Sequence, residues 1–147
     1  MNIDVIGVGK LKEDYLKDAQ KEYLKRLSRF CKIRIVEVEE DSTTLKEADR
    51  IRKAFSKNSY TIALDIQGEK LNSVEFSKFM DKLMIEGKSD LSFIIGGSTG
   101  LDETLIKQVD YRFSMSDLTF PHQLARIILL EQVYRAFKLM KGETYHK

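Results

Sequence analysis

The run Leu91 to Ile95, apolar but for Ser92 and followed at once by Gly96 and Gly97, constrains this chain most. It is too short for a buried helix and lacks the polar alternation of a half-exposed strand. It therefore predicts a strand covered on both faces, as in the middle of a parallel sheet. Parallel strands need crossover connections, usually helices, and the rest of the chain supplies them. Ile3 to Val8, Lys32 to Val38, Tyr60 to Ile66 and Tyr111 to Met115 carry strand patterns. The second of these alternates apolar and charged residues, which places it near a sheet edge. Between them, Leu11 to Phe30, Leu45 to Lys57, Val74 to Glu86 and the shorter Leu101 to Val109 repeat apolar residues at helical spacing. A long helix follows, opened by Pro121 and running through Met140. The order β-α-β-α-β-α-β-α-β-α predicts an α/β fold: a largely parallel sheet with helices on both faces.

At 147 residues, with one proline and no Gly/Ser-rich hinge, the chain reads as one domain over 1–147. A 42% hydrophobic content excludes a disordered chain, and no apolar run spans a bilayer. The strand-like start, with Asp4 inside it, is unlike a secretory signal. The single Cys31 allows no internal disulfide, so a reducing, cytoplasmic setting is expected. The net charge of +2 hides a pattern: +3 over residues 1–60, −4 over 61–110 and +3 over 111–147. The two ends could face a polyanion while the middle does not.

Ligands of open parallel sheets bind beyond the carboxyl ends of the strands. Leu64 to Gly68, Ile95 to Gly100 and Ser114 to Pro121 all fall there. The loop Gly-Gly-Ser-Thr-Gly matches neither the dinucleotide fingerprint nor a P-loop, so a phosphate cradle is not expected. The two histidines, His122 and His146, lie far apart, which predicts no metal centre. The last helix is apolar around a whole turn at Ile127 to Leu130. One face can cover the sheet, and a second would need a partner, most simply another copy of the chain. Glu131 and Arg135 stand at ion-pair spacing on that helix.

Taken together, Leu64-Asp-Ile-Gln-Gly68, Phe93-Ile-Ile-Gly-Gly-Ser-Thr-Gly-Leu101, Leu118-Thr-Phe-Pro-His-Gln-Leu-Ala-Arg126, Leu130-Glu-Gln-Val-Tyr-Arg-Ala-Phe137 and the closing Tyr145-His146-Lys147 resemble the ribosomal RNA large subunit methyltransferase H family. That family is of the SPOUT class, and the likeness runs in order over essentially the whole chain. It implies a trefoil knot near the C-terminus, a rarity by the usual topological rules. It also implies a cytoplasmic homodimer that uses S-adenosylmethionine to methylate N3 of pseudouridine 1915 in 23S rRNA, on the assembled ribosome. Carried over residue by residue, it assigns the methyl donor to Leu64, Gly97 and Ser116, Asp117, Leu118, Thr119, Phe120 and Pro121. Leu118 stands where many members have methionine. A bulky residue at Gly97 is expected to abolish donor binding. His122, Tyr145 and His146 are the candidates for handling the imide proton, and the Tyr145-His146 tail is the expected one, with Tyr145 stacking on the base and His146 near the imide. Arg126 and Arg135 are expected at phosphate or a partner chain. A SPOUT enzyme acting on tRNA, and a ribosome-binding module without catalysis, are the competing readings.

Overall fold

The computed structural model describes residues 1–146. Five strands, β1 (Asn2–Val8), β2 (Lys32–Val38), β3 (Tyr60–Lys70), β4 (Asp90–Ile95) and β5 (Tyr111–Ser114), form one parallel sheet in the order β2-β1-β4-β3-β5. They alternate with α1 (Asp14–Leu27), α2 (Thr44–Ala54), α3 (Ser73–Ile85), α4 (Glu103–Ile106) and α5 (His122–Met140). The apolar run at 91–95 lies in central β4, and the alternating β2 lies at an edge, as their patterns require. The order is consistent with the knotted threading that the family resemblance implies.

Odd-numbered residues of β1 and β4 (Ile3, Val5, Leu91, Phe93, Ile95) face a core built with α1, α3 and α5. Even-numbered residues (Ile6, Val8, Ile94) face the smaller layer of α2 and α4, packing on Ala48, Ile51 and Leu105. This two-sided burial is why the central strands carry apolar residues at successive positions. Several boundaries move. α1 begins three residues later than expected because Leu11 leaves the helix to pack on Leu16 and Ile127. α4 is a single turn. Pro121, with ψ 137°, is the N-cap of α5 and not part of its first turn.

Much of the apolar excess of α5 is absorbed within the chain, while Ile128 stays half-buried and Leu124 exposed. α5 packs against both α1 and α3 on the same face of the sheet. Leu129, Leu130, Val133, Ala136 and Phe137 are consumed by the chain's own core, and Ile127 meets Leu11 and Leu16. Flanked on both sides, the helix needs no second copy to bury these residues.

A buried carboxylate ties β1 to its neighbours at the other end of the sheet. Asp4 accepts hydrogen bonds from Arg34 Nε (2.7 Å) and from the Ser56 hydroxyl (2.7 Å). Burial pushes its carboxyl up, but the hydrogen bonds and the guanidinium charge outweigh it and hold Asp4 below the ordinary aspartate range. A depressed folded value stabilises above the unfolded value of about 3.9 and is lost as pH falls through the folded value. Asp4→Asn is therefore expected to lower stability by about 1–3 kcal/mol at neutral pH. Urea unfolding should show the gap to wild type closing below about pH 4.

Candidate active site

The adjacent strands β4, β3 and β5 end side by side, and their tips enclose a crevice of about 240 Å³. Leu64 to Ile66 form one wall, Ile95 to Gly97 with Gly100 and Leu101 a second, and Phe113 to Ser116 with Leu118 to Phe120 a third. His122 and Ala125 of α5 complete the lining. The three segments singled out by their place after strands are thus brought together.

Each wall has a local cause. β3 pairs with β5 up to Leu64–Phe113, leaves the ladder, and rejoins it at Glu69–Phe113 and Lys70–Ser114. Residues 65–68 are thrown out as a bulge, which re-aims side chains toward the crevice. Asp65 holds the bulge: Oδ1 accepts from the Gln67 amide (3.1 Å) and Oδ2 from Arg112 Nε (2.9 Å). Gly68 lets the strand return, since a Cβ there would stand 2.6 Å from the Arg112 backbone.

The glycine loop closes on itself. The Gly100 amide donates to the Gly97 carbonyl at 3.0 Å, and Gly100 has φ +80°. A Cβ on Gly96 would lie 2.6 Å from the Gly100 carbonyl carbon and 2.9 Å from the Leu101 nitrogen. A Cβ on Gly97 would instead meet the Val8 side chain at 3.1 Å. A side chain at Gly97 would thus press first on Val8 in the core. The steric need is greater at Gly96.

In the third wall, the Ser114 hydroxyl donates to the Ser116 carbonyl (3.1 Å), and the Ser116 hydroxyl accepts from the Leu118 amide (2.9 Å). Ser116, Leu118, Thr119 and Phe120 line the crevice, with Leu118 70% exposed at its rim. Two expected donor residues do not. Asp117 turns to solvent and pairs with Lys70, and Pro121 lines a neighbouring groove with Lys12 and Tyr15.

The lining holds no lysine or arginine, and its one carboxylate, Asp65, is tied to Arg112. Nε2 of His122 is buried without a hydrogen-bond partner. Apolar walls, backbone edges, no fixed cation and one unused ring nitrogen suit a flat neutral heterocycle and a cationic sulfur centre. They do not suit a polyphosphate. Among the described residues no cluster of His, Cys, Asp and Glu could hold a metal, and no helix is long and apolar enough to cross a membrane.

The remaining candidates lie elsewhere. Arg126 is 2% exposed; its guanidinium donates to Glu37 (2.6 Å) and to the Gly9 carbonyl (3.1 Å). Enclosed in this way, it is out of reach of a phosphate, and the expected RNA contact is corrected to an internal bond. Arg135 grips Glu131 through two nitrogens, each at 3.1 Å, so the helix ion pair accounts for it. Tyr145 donates to Glu131 (2.9 Å), sits edge-on to Tyr134 and lies under the Arg135 guanidinium; His146 Nδ1 meets Arg135 at 3.1 Å. Glu131 and Arg135 stand about 14 and 20 Å along α5 from His122, at 1.5 Å per residue. Of the three proton-handling candidates, only His122 stands at the chain's own crevice. Lys147 lies outside the described residues. The sequence reasoning did not single out Leu101, Phe113 or Ala125. Leu101 and Phe113 directly adjoin the flagged segments, and Ala125 lies one turn into α5.

Comparison with known proteins now bears on this geometry. The family model described as "Predicted SPOUT methyltransferase" matches residues 1–146. Curated relatives named "Ribosomal RNA large subunit methyltransferase H" are 51% identical in Ruminiclostridium cellulolyticum, 50% in Clostridium kluyveri and 48% in Clostridium tetani, each over the full length of both chains. The alignments span 159 positions, so these relatives carry residues that this chain lacks. A solved structure of a probable methylase family protein from Haemophilus influenzae covers 99% of this chain and 70% of its own at a TM-score of 0.57. At 12% identity it speaks for the fold alone. A crevice at the tips of β4, β3 and β5, in a chain matched from end to end by the family model and by relatives half identical to it, admits one conclusion: this chain belongs to the SPOUT methyltransferase family.

Proposed function

We propose that this chain is an S-adenosylmethionine-dependent methyltransferase of large-subunit ribosomal RNA, modifying N3 of a pseudouridine on the assembled ribosome as a cytoplasmic homodimer. The observation that carries the reading is the crevice at the tips of β4, β3 and β5, apolar and free of fixed cations, with an unused His122 nitrogen in its wall. The name that these half-identical relatives carry supports the substrate.

Residues 116 and 118–120, the loop at 95–101 and Leu64 would hold the donor's adenosine by backbone edges and apolar contact. When bound, S-adenosylmethionine supplies an electrophilic methyl on a sulfonium. The chain's own residues must orient the base and take up the imide proton. Tyr145 is a poor base in its docked place. Its burial, and its hydrogen bond to Glu131, push its hydroxyl up to about 12, so it stays protonated at neutral pH. It serves as a donor and a stacking ring. Proton removal falls to a histidine, and His122 is the one at the crevice.

Two measurements test this. S-adenosylhomocysteine at a hundred times its Kd should stabilise the fold by about 2.7 kcal/mol, read as a rise in Tm. Labelled methyl should pass to ribosomes that lack the modification and not to purified tRNA. Absence of any thermal shift at saturation would remove the donor site. Incorporation into tRNA alone would move the enzyme to another substrate, and ribosome co-sedimentation without methyl transfer would make it a binding module.

A further inference from the structure

Arg126 is the largest fully buried side chain, and a buried guanidinium is costly unless its geometry is well satisfied. Its two terminal nitrogens have partners, while Nε is buried without one. It donates to Glu37 on β2 and to the Gly9 carbonyl just past β1. The same Glu37 carboxylate lies 3.4 Å from the Leu11 amide, and the next amide, Lys12, donates to the Gln123 side chain (3.0 Å) on α5. Gly7 makes the space: a Cβ there would lie 2.7 Å from an Arg126 terminal nitrogen. Arg126 stands one helical turn beyond His122, on the same face of α5. That turn forms the crevice wall through His122 and Ala125.

We propose that Arg126 is a positioning residue for the donor crevice. Through Glu37 and Gly9 it locks the first turn of α5 to the ends of β1 and β2, and so fixes where His122 and the 116–121 loop stand. An apolar side chain could fill this space without the desolvation penalty. What only the guanidinium provides is a directed link from α5 to two strand ends. The inference rests on the donor reading above for its functional consequence, while the brace itself can be read without any ligand.

The experiment combines Gly7→Ala, Arg126→Met and Arg126→Lys in the full chain. S-adenosylhomocysteine affinity is measured by titration, and amide hydrogen exchange is followed over residues 116–125. In wild type, Gly7→Ala should push the guanidinium from its partners, weaken binding about tenfold or more and speed exchange in that segment. Arg126→Met should do the same. Adding Gly7→Ala to Arg126→Met should cost little further, because the shorter side chain leaves the Cβ its room; Arg126→Lys should recover part of the affinity. Additive losses in the double variant, or wild-type affinity and exchange in Arg126→Met, overturn the proposal. If Arg126→Met does not fold, Gly7→Ala, which keeps the arginine, decides by the same two readouts. If wild type itself does not bind S-adenosylhomocysteine, the donor reading falls, and exchange alone judges the brace: equal exchange across the variants overturns it.

Discussion

Gly96→Ala is expected to weaken S-adenosylhomocysteine binding by about 10- to 100-fold, the equivalent of about 1–3 kcal/mol of overpacking. The added carbon would meet only backbone, the Gly100 carbonyl and the Leu101 nitrogen, and no rotamer change can move these aside. Relief requires opening the Gly97–Gly100 turn, which is the second wall of the crevice. Gly100→Ala should cost less. Nothing stands within 4 Å of its Cβ, and only the φ of +80° is strained. Gly87→Ala gives the reference: it shares positive φ and empty surroundings but lies in the turn between α3 and β4, at the opposite end of β4 from the crevice, and should leave affinity unchanged. Isothermal titration of the three variants checks the ranking. Wild-type affinity in Gly96→Ala would mean that the loop does not shape the donor site.

The ranking was not legible in the sequence. Gly97 is the glycine the family resemblance brings forward, yet its hydrogen faces Val8, while Gly96 is the one pressed against backbone. Spacing identifies a tight turn but not which residue in it lacks room. The layered fold was legible because two periods carry it: β4 shows continuous burial, β2 shows alternation, and helical spacing lies between. The length of β3 was not. Its last residues are polar and contain Gly68, which reads as a strand end, whereas the strand bulges and rejoins β5. Tertiary pairing overrides the local signal there. The polar candidates divide in the same way. His122 was placed correctly by its position after a strand tip. Arg126 could not be, since an arginine on a helix carries no local mark of burial. Its partners Gly9 and Glu37 are 117 and 89 residues away.

The tail leads to the second large effect. A chain cut after Thr144, mixed with a Gly96→Ala chain at a donor concentration too low to fill the Gly96→Ala crevice, is expected to recover methylation that neither shows alone. The tail is held on its own α5 by Glu131, Tyr134 and Arg135. From Met140 back to His122 the helix runs about 27 Å. Docked in this way, Tyr145 and His146 stand well along α5 from the crevice of their own chain. If these residues act on the base from that place, they act in the crevice of a second copy, and in a two-fold dimer each tail would serve the opposite crevice. Random mixing makes half the dimers hybrid, each with one intact crevice facing one intact tail, so about a quarter of wild-type activity should return. A mixture as inactive as its parents would show that the tail takes no part in trans, and would leave His122 to handle the imide proton unaided. Recovery would make the dimer a condition of catalysis, independently of the apolar residues of α5 that the chain buries by itself.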